Sequence, residues 1–188
     1  PLLRKEFTVD KSIKKARVYF SGLGFGELYL NGKKVSDNVL SPIMTDYLHE
    51  VNYKVFDVTS FLKDGGNAIG IWLGNGWYSG PIHKIYNYYE VYGDAPRALF
   101  QLELELTDGT RMVINSDETW KTSDSPISLN TLVHGEHYDA RLEQPGWNQV
   151  NFNDSSWKQV DILPAPWEQV DVPVAEGNLV SQMCPGMK

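Results

Sequence analysis

Glu103 and Glu105 are the first candidates for chemistry, because hydrolysis of a glycosidic bond calls for two carboxylates set roughly 5 to 10 Å apart. In the stretch FQLELEL they alternate with Leu102 and Leu104, so an extended chain puts both on one face, roughly 6 to 7 Å apart. A general acid also needs a desolvated setting that lifts its pKa. Nothing around this pair supplies one, and it reads as the solvated face of a strand. The segment HGEHYD gathers His134, Glu136, His137 and Asp139, but a zinc site needs its third and fourth ligands at matched geometry, and polar groups clustered in a loop usually bond to water or to each other. Gly22, Gly24 and Gly26 in SGLGFGELYLNG imitate a phosphate loop. A strand follows them rather than the helix N-terminus that would aim amides at a phosphate, and no lysine stands in position. No GxSxG occurs, and the single Cys184 lies in a Pro- and Gly-containing tail. The chain therefore shows no catalytic constellation.

Composition narrows the partners. With 188 residues, 41% hydrophobic and 12% aromatic, the chain can bury a sizeable core in one domain. Its net charge of −7, with basic pairs only at Lys14-Lys15 and Lys33-Lys34, argues against nucleic acid. No apolar run nears the roughly 20 residues of a membrane span, so no membrane partner is expected. One cysteine forms no intrachain disulfide and leaves the compartment open. Beginning at Pro1 with no leader, the chain reads as an excised piece of something larger.

Period-two patterns dominate. Phe100, Leu102, Leu104 and Leu106 fall on one side of a strand, Thr107-Asp108-Gly109-Thr110 closes a hairpin, and RMVIN resumes the alternation. Val18 and Phe20, then Leu28 and Leu30, point inward in a second unit that turns at Asn31-Gly32. Ala68 to Leu73, nearly all apolar, reads as a central strand covered on both faces. The one helical signal is a turn or two in DVTSFLKDGGN, with Thr59 as N-cap, Phe61 and Leu62 as its apolar side and Gly65-Gly66 as its end. Turn signals every eight to twelve residues predict an all-β sandwich or barrel, in which Phe100, Leu102, Leu104, Ile71 and Val18 share the core.

The stretch LGNGWYSG sets Trp77 and Tyr78 on pliable backbone. Two readings stand. Gly74 and Gly76 let a central strand leave the sheet while Trp77 caps the core; or Asn75, Trp77 and Tyr78 stand at a rim, with the following His83, Tyr86, Asn87, Tyr88, Tyr89 and Tyr92 forming the wall of a sugar groove. Aromatic faces suit the C–H side of a pyranose, and amides take its hydroxyls.

The succession RVYFSGLGFGELYLNGKKVSD, LSPIMTDY, YKVFDVTSFLKDGGNAIGIWLGNGWYSG, VYGDAPRALFQLELELTDGT, SDETWKTSDSPI and HGEHYDARLEQPGW resembles the N-terminal accessory β-domain of bacterial α-L-rhamnosidases over nearly the whole chain. DVTSFLKDGGNAI and FNDSSWKQVDILPAPW are shared with jelly-roll domains of many glycosidases, whereas LNGKKVSD…LSP…TDY, GNGWYSG and HGEHYDAR are more specific to rhamnosidases. The resemblance implies a galactose-binding-like jelly-roll β-sandwich over residues 1–165 and a tail or linker over 166–188 leading toward a following domain. It implies a non-catalytic accessory domain, either binding L-rhamnose or rhamnose-containing glycans or serving as a structural spacer against other domains of the same parent chain. The parent is expected to be a rhamnosidase acting in the periplasm or outside the cell.

Relatives that bind rhamnose are associated with an Asp-Asn pair and a calcium ion bridging protein and sugar. Asp37-Asn38 is the pair here that corresponds, and Ca²⁺ takes carboxylate, amide and carbonyl oxygens together with a vicinal diol. The plainer reading of VSDN is a turn in which Asp or Asn bonds nearby backbone. The chain departs from the family at Pro42, Ile43 and Met44, where relatives carry an aromatic before TDY.

Overall fold

A computed structural model describes residues 1–79 and 92–163, and the backbone of 179–181. The alternating segments form two facing sheets. The first contains β1 (Leu2–Val9), β3 (Phe25–Leu30), β4 (Lys33–Lys34), β6 (Gly65–Gly74), β9 (Lys121–Ser123) and β12 (Lys158–Gln159), in the order β12-β9-β1-β6-β3-β4. The second contains β2 (Ile13–Leu23), β5 (Val51–Asp57), β7 (Arg97–Leu106), β8 (Arg111–Asn115) and β13 (Leu179–Ser181), in the order β13-β5-β2-β7-β8. A separate hairpin pairs β10 (Ile127–Thr131) with β11 (Gly135–Tyr138). The chain is thus an all-β sandwich with antiparallel pairing throughout, except that β13 lies parallel to β5 and brings three residues of the expected tail into the second sheet.

The inward residues are those the alternation selects. Val18, Phe20, Phe100, Leu102 and Leu104 from one sheet meet Leu28, Leu30, Ile69, Ile71 and Leu73 from the other in one buried cluster, with Trp120 edge-on to Phe100 at 5.3 Å. At ~25 cal/mol per Å² of apolar area removed from water, this interleaving is the main source of stability. The hairpin turn at Asn31-Gly32 takes positive φ at both residues, 51° and 82°, as a two-residue turn matched to strand twist requires. In the β7–β8 turn only Gly109 does so, at 86°.

The segment after β11 seals the outer face of the first sheet. Trp147 and Asn148 lie on Gly70, where an added Cβ would stand 2.7 Å from each. Arg4, 1% exposed, reaches from β1 to hold this strap through Nε to the Trp147 carbonyl at 2.9 Å and Nη2 to the Gln149 carbonyl at 3.0 Å. The central strand β6 is therefore covered on both faces, as its apolar run requires.

The predicted helix shrinks to a 3-10 turn over Thr59–Phe61, and Thr59 does not cap it. Its hydroxyl accepts from the Ala16 backbone N–H at 2.9 Å, while Asp57 Oδ1 accepts from the Thr59 N–H at 3.0 Å. The hydroxyl is taken up by β2 and the acid beside it makes the local turn. Gly65 and Gly66 open β6 rather than close a helix.

Candidate functional site

Three segments distant in sequence meet at one end of the first sheet. β6 ends at Gly74 and turns through Asn75 and Gly76, and β2 passes into β3 at Gly24. The two bends lie backbone against backbone. A Cβ on Gly24 would stand 2.3 Å from the Gly74 carbonyl oxygen, and one on Gly76 would stand 2.8 Å from the Gly24 carbonyl carbon. Both glycines also take positive φ, 104° and 51°, so close approach and conformation together explain why LGNGWYSG is built on glycine. Asn75 then fastens the hairpin: its backbone N–H donates to Asn130 Oδ1 at 3.0 Å, and its Nδ2 donates to the Asn130 carbonyl at 2.9 Å.

Between these bends and β10 opens a cleft of about 430 Å³, whose lining includes Phe25, Asn38, Leu40, Trp72, Asn75 and Asn130. Asn38 and Asn75, singled out in sequence as parts of separate motifs, are brought together here. Asn38 sits in a turn, its N–H donating to Ser36 Oγ at 3.2 Å. Neither the carboxamide of Asn38 nor Nδ2 of Asn130 has a hydrogen-bond partner among the described residues. Two amides in the lining of one partly aromatic cleft can thus bond to an incoming polar ligand.

Asp37 is exposed beside Asn38 and does not share its place in the cleft lining. By residue type the pair holds one carboxylate and one amide oxygen, both of the kind Ca²⁺ accepts. No group of three or more His, Cys, Asp or Glu suited to a metal occurs among the described residues.

The aromatic pair divides. Trp77 is 37% exposed, whereas Tyr78 is 1% exposed. Tyr78 therefore does not stand at a rim, and it is Tyr78 rather than Trp77 that folds inward. It packs edge-on to Tyr47 at 5.4 Å and stacks on Tyr92 at 6.5 Å. Gly93 makes room for it, since a Cβ there would stand 2.5 Å from Cε1 of the ring, and the Arg97 guanidinium lies 5.6 Å above it. Leu23 and Val51 complete this apolar nest, which outcompetes solvent for a ring worth about 2 kcal/mol on burial. Burial pushes the Tyr47 phenol up to about 12 and raises that of Tyr78. Tyr86 and Asn87, with His83, Tyr88 and Tyr89, lie outside the described residues.

The acidic candidates have ordinary partners. Glu103 and Glu105 pair in register with Arg17 and Lys15 on the outer face of the second sheet, and Lys14 Nζ donates to Glu105 at 2.6 Å. That hydrogen bond holds the Glu105 carboxyl below the usual range, opposite to what a general acid needs. His134, Glu136 and His137 are exposed on the hairpin, and Asp139 accepts from the Arg141 backbone N–H at 3.0 Å to cap a short 3-10 turn.

A family profile described as the alpha-L-rhamnosidase N-terminal domain matches residues 11–188. The chain belongs to this family. An alpha-L-rhamnosidase of Streptomyces avermitilis is 40% identical over 153 residues, covering 81% of this chain and 15% of that protein. The structure of an alpha-L-rhamnosidase from Dictyoglomus thermophilum superposes with a TM-score of 0.84 at 42% identity, over 98% of this chain and 19% of that one. A Streptomyces avermitilis alpha-L-rhamnosidase complexed with L-rhamnose gives a TM-score of 0.83 at 38% identity, over 88% of this chain and 16% of that one. The rhamnosidase N-terminal domain described here is thus a small part of the length of the relatives it matches.

Asn130, Phe25, Trp72 and Leu40 were not singled out for a site by sequence. Asn130 bonds to a residue 55 positions away, which no local pattern encodes.

Proposed function

We propose that this chain is the non-catalytic accessory domain of an α-L-rhamnosidase, and that it binds L-rhamnose or a rhamnose-containing glycan in the cleft between the Gly24 and Gly74–Gly76 bends and β10. The observation that carries the reading is the convergence of the Asn38 carboxamide and Nδ2 of Asn130, whose Oδ1 is held by the Asn75 N–H, with Phe25 and Trp72 in the lining of one cavity of about 430 Å³. Rings take the C–H side of a pyranose and amides its hydroxyls. A relative of this fold is complexed with L-rhamnose, which supports the choice of sugar. Calcium held by Asp37 and Asn38 would bridge to vicinal hydroxyls, and the exposed Trp77 would extend the aromatic surface. Hydrolysis would belong to other domains of the parent chain, because Glu103 and Glu105 lie opposite Arg17 and Lys15 on a solvated sheet face.

A second reading, a spacer packed on the parent's catalytic domain, is favoured by the hairpin. Leu132, Val133 and Tyr138 there, with Leu142 in the 3-10 turn that follows, are each between 39% and 51% exposed, an apolar surface suited to a neighbouring domain. Titration with L-rhamnose, with Ca²⁺ and in EDTA, separates the two. The sugar reading expects a Kd between about 1 mM and 1 μM, or ~4 to 8 kcal/mol, lost in EDTA and lost again in Asp37→Ala. Equal binding by wild type and Asp37→Ala in EDTA would remove calcium from the scheme. Absence of binding under every condition would leave the spacer.

A further inference from the structure

We infer that Leu40 is a specificity-determining residue of the cleft, and that it selects a 6-deoxyhexose over the hexose otherwise identical to it. The inference rests on the carbohydrate reading above and deepens it.

Leu40 has φ +50°, in the left-handed region that costs an L-residue roughly 1 to 2 kcal/mol. Among the described residues the other non-glycine positions with positive φ are Asn31 and Asn151, the residue type that tolerates this region. Leu40 is the bulky exception. Burial does not compensate it, because the side chain remains 49% exposed while lining the cleft. Its conformation is imposed from both sides. Ser41 is tied to β3 by its carbonyl, which accepts from the Gly26 N–H at 2.8 Å, and the Asn38 N–H donates to Ser36 Oγ at 3.2 Å. Strain persists where the surroundings over-determine it, and it concentrates at ligand clamps. An exposed leucine held this way contributes little to the core and presents an apolar edge to whatever enters the cleft.

That edge lines the same cleft as the two carboxamides with free hydrogen-bonding capacity. Asn38 and Asn130 can take ring hydroxyls, while Leu40, with Val39 next to it at 38% exposure, offers only apolar contact. A methyl group on C5 of the sugar gains a partner there. A hydroxymethyl group in the same place is stripped of water and finds no acceptor or donor on leucine. An apolar pocket rejects an added hydroxyl by at most about a hundredfold, and a half-exposed lip should give about tenfold.

The test is calorimetric titration of the chain with L-rhamnose and with L-mannose, its 6-hydroxy counterpart. Wild type is expected to prefer L-rhamnose about tenfold. Leu40→Asn accepts the same φ without strain and should cut the preference to about threefold or less, mainly by weakening L-rhamnose. Leu40→Gly, equally free in this region, should do the same and guards against a contact peculiar to asparagine. Equal affinity of wild type for both sugars, or an unchanged preference in both variants, overturns the role of Leu40 and leaves the sugar reading standing. If wild type binds neither sugar, the carbohydrate reading itself has failed and this inference with it.

Discussion

Arg4 and Asn38 are both polar side chains beside the first sheet, and the difference between them separates holding a fold from meeting a ligand. Arg4 is 1% exposed and every guanidinium nitrogen is engaged: Nε with the Trp147 carbonyl, Nη1 with Asp154, Nη2 with Glu6 and the Gln149 carbonyl. The Phe152 ring lies 5.4 Å from its carbon. Nothing remains for a ligand. The Asn38 carboxamide is accessible in a cleft and bonds to no described residue. Saturation of a buried group stabilises because its loss would strand its partners; an unsaturated group at the surface costs nothing to leave with water and is available to a solute.

The largest effect expected from this contrast is that of Arg4→Met. Asp154 keeps Lys121, whose Nζ lies 2.6 Å from its other oxygen, so the loss falls at the low end for a broken buried pair, about 3 kcal/mol. For a chain of this size that lowers the melting temperature by roughly 6 to 12 °C, measurable by calorimetry. L-rhamnose affinity measured well below the transition should not move. If it moves, the strap and the cleft are coupled and the contrast breaks down.

Asn38→Ala should behave in the opposite way. As a turn residue near the surface it should change unfolding free energy by less than about 0.5 kcal/mol, while L-rhamnose affinity falls about tenfold, or ~1.4 kcal/mol, with the loss of its hydrogen bonds. Chemical denaturation and titration of the same preparation check both halves. A large stability loss with intact binding would make Asn38 another structural polar group like Arg4.

This contrast also marks where the sequence is legible. Val18, Phe20, Leu102 and Leu104 declare their burial through alternation, a local signal that strand geometry converts directly into an inward face, and the Asn31-Gly32 turn is equally local. The sandwich follows from such signals. Arg4 gives no warning, because its partners lie more than 140 positions away at Trp147, Gln149 and Asp154. The cleft is half legible. Asn38 and Asn75 stand out in glycine- and turn-rich stretches, but Asn130, which completes the cleft lining, sits in an unremarkable strand. Trp77 and Tyr78 read alike in one dimension; only the nest of Tyr47, Leu23 and Val51 decides which of them turns inward.

Tyr47 tests whether lacking a partner is enough to define a ligand group. Its hydroxyl is buried with no hydrogen bond among the described residues, so it is unsaturated like Asn38 but closed off like Arg4. If access to solvent is what matters, the hydroxyl serves no purpose and costs desolvation. Tyr47→Phe should then keep L-rhamnose binding and leave stability at neutral pH unchanged or raised by up to about 1 kcal/mol. The pH dependence gives a second reading of the same group. Burial holds the folded-state phenol at about 12, above the ordinary value near 10, so the folded chain keeps its proton more tightly than the unfolded one. The resulting stability is fully present below about pH 10 and is lost as pH rises toward 12. Urea unfolding of wild type should weaken across that window, and Tyr47→Phe should weaken less, with the remaining slope due in part to Tyr78, also raised by burial. Parallel slopes in the two proteins, or a clear loss of stability in Tyr47→Phe at neutral pH, would mean that the hydroxyl is bonded in solution and that the tyrosine nest is a polar junction rather than a dry apolar cluster.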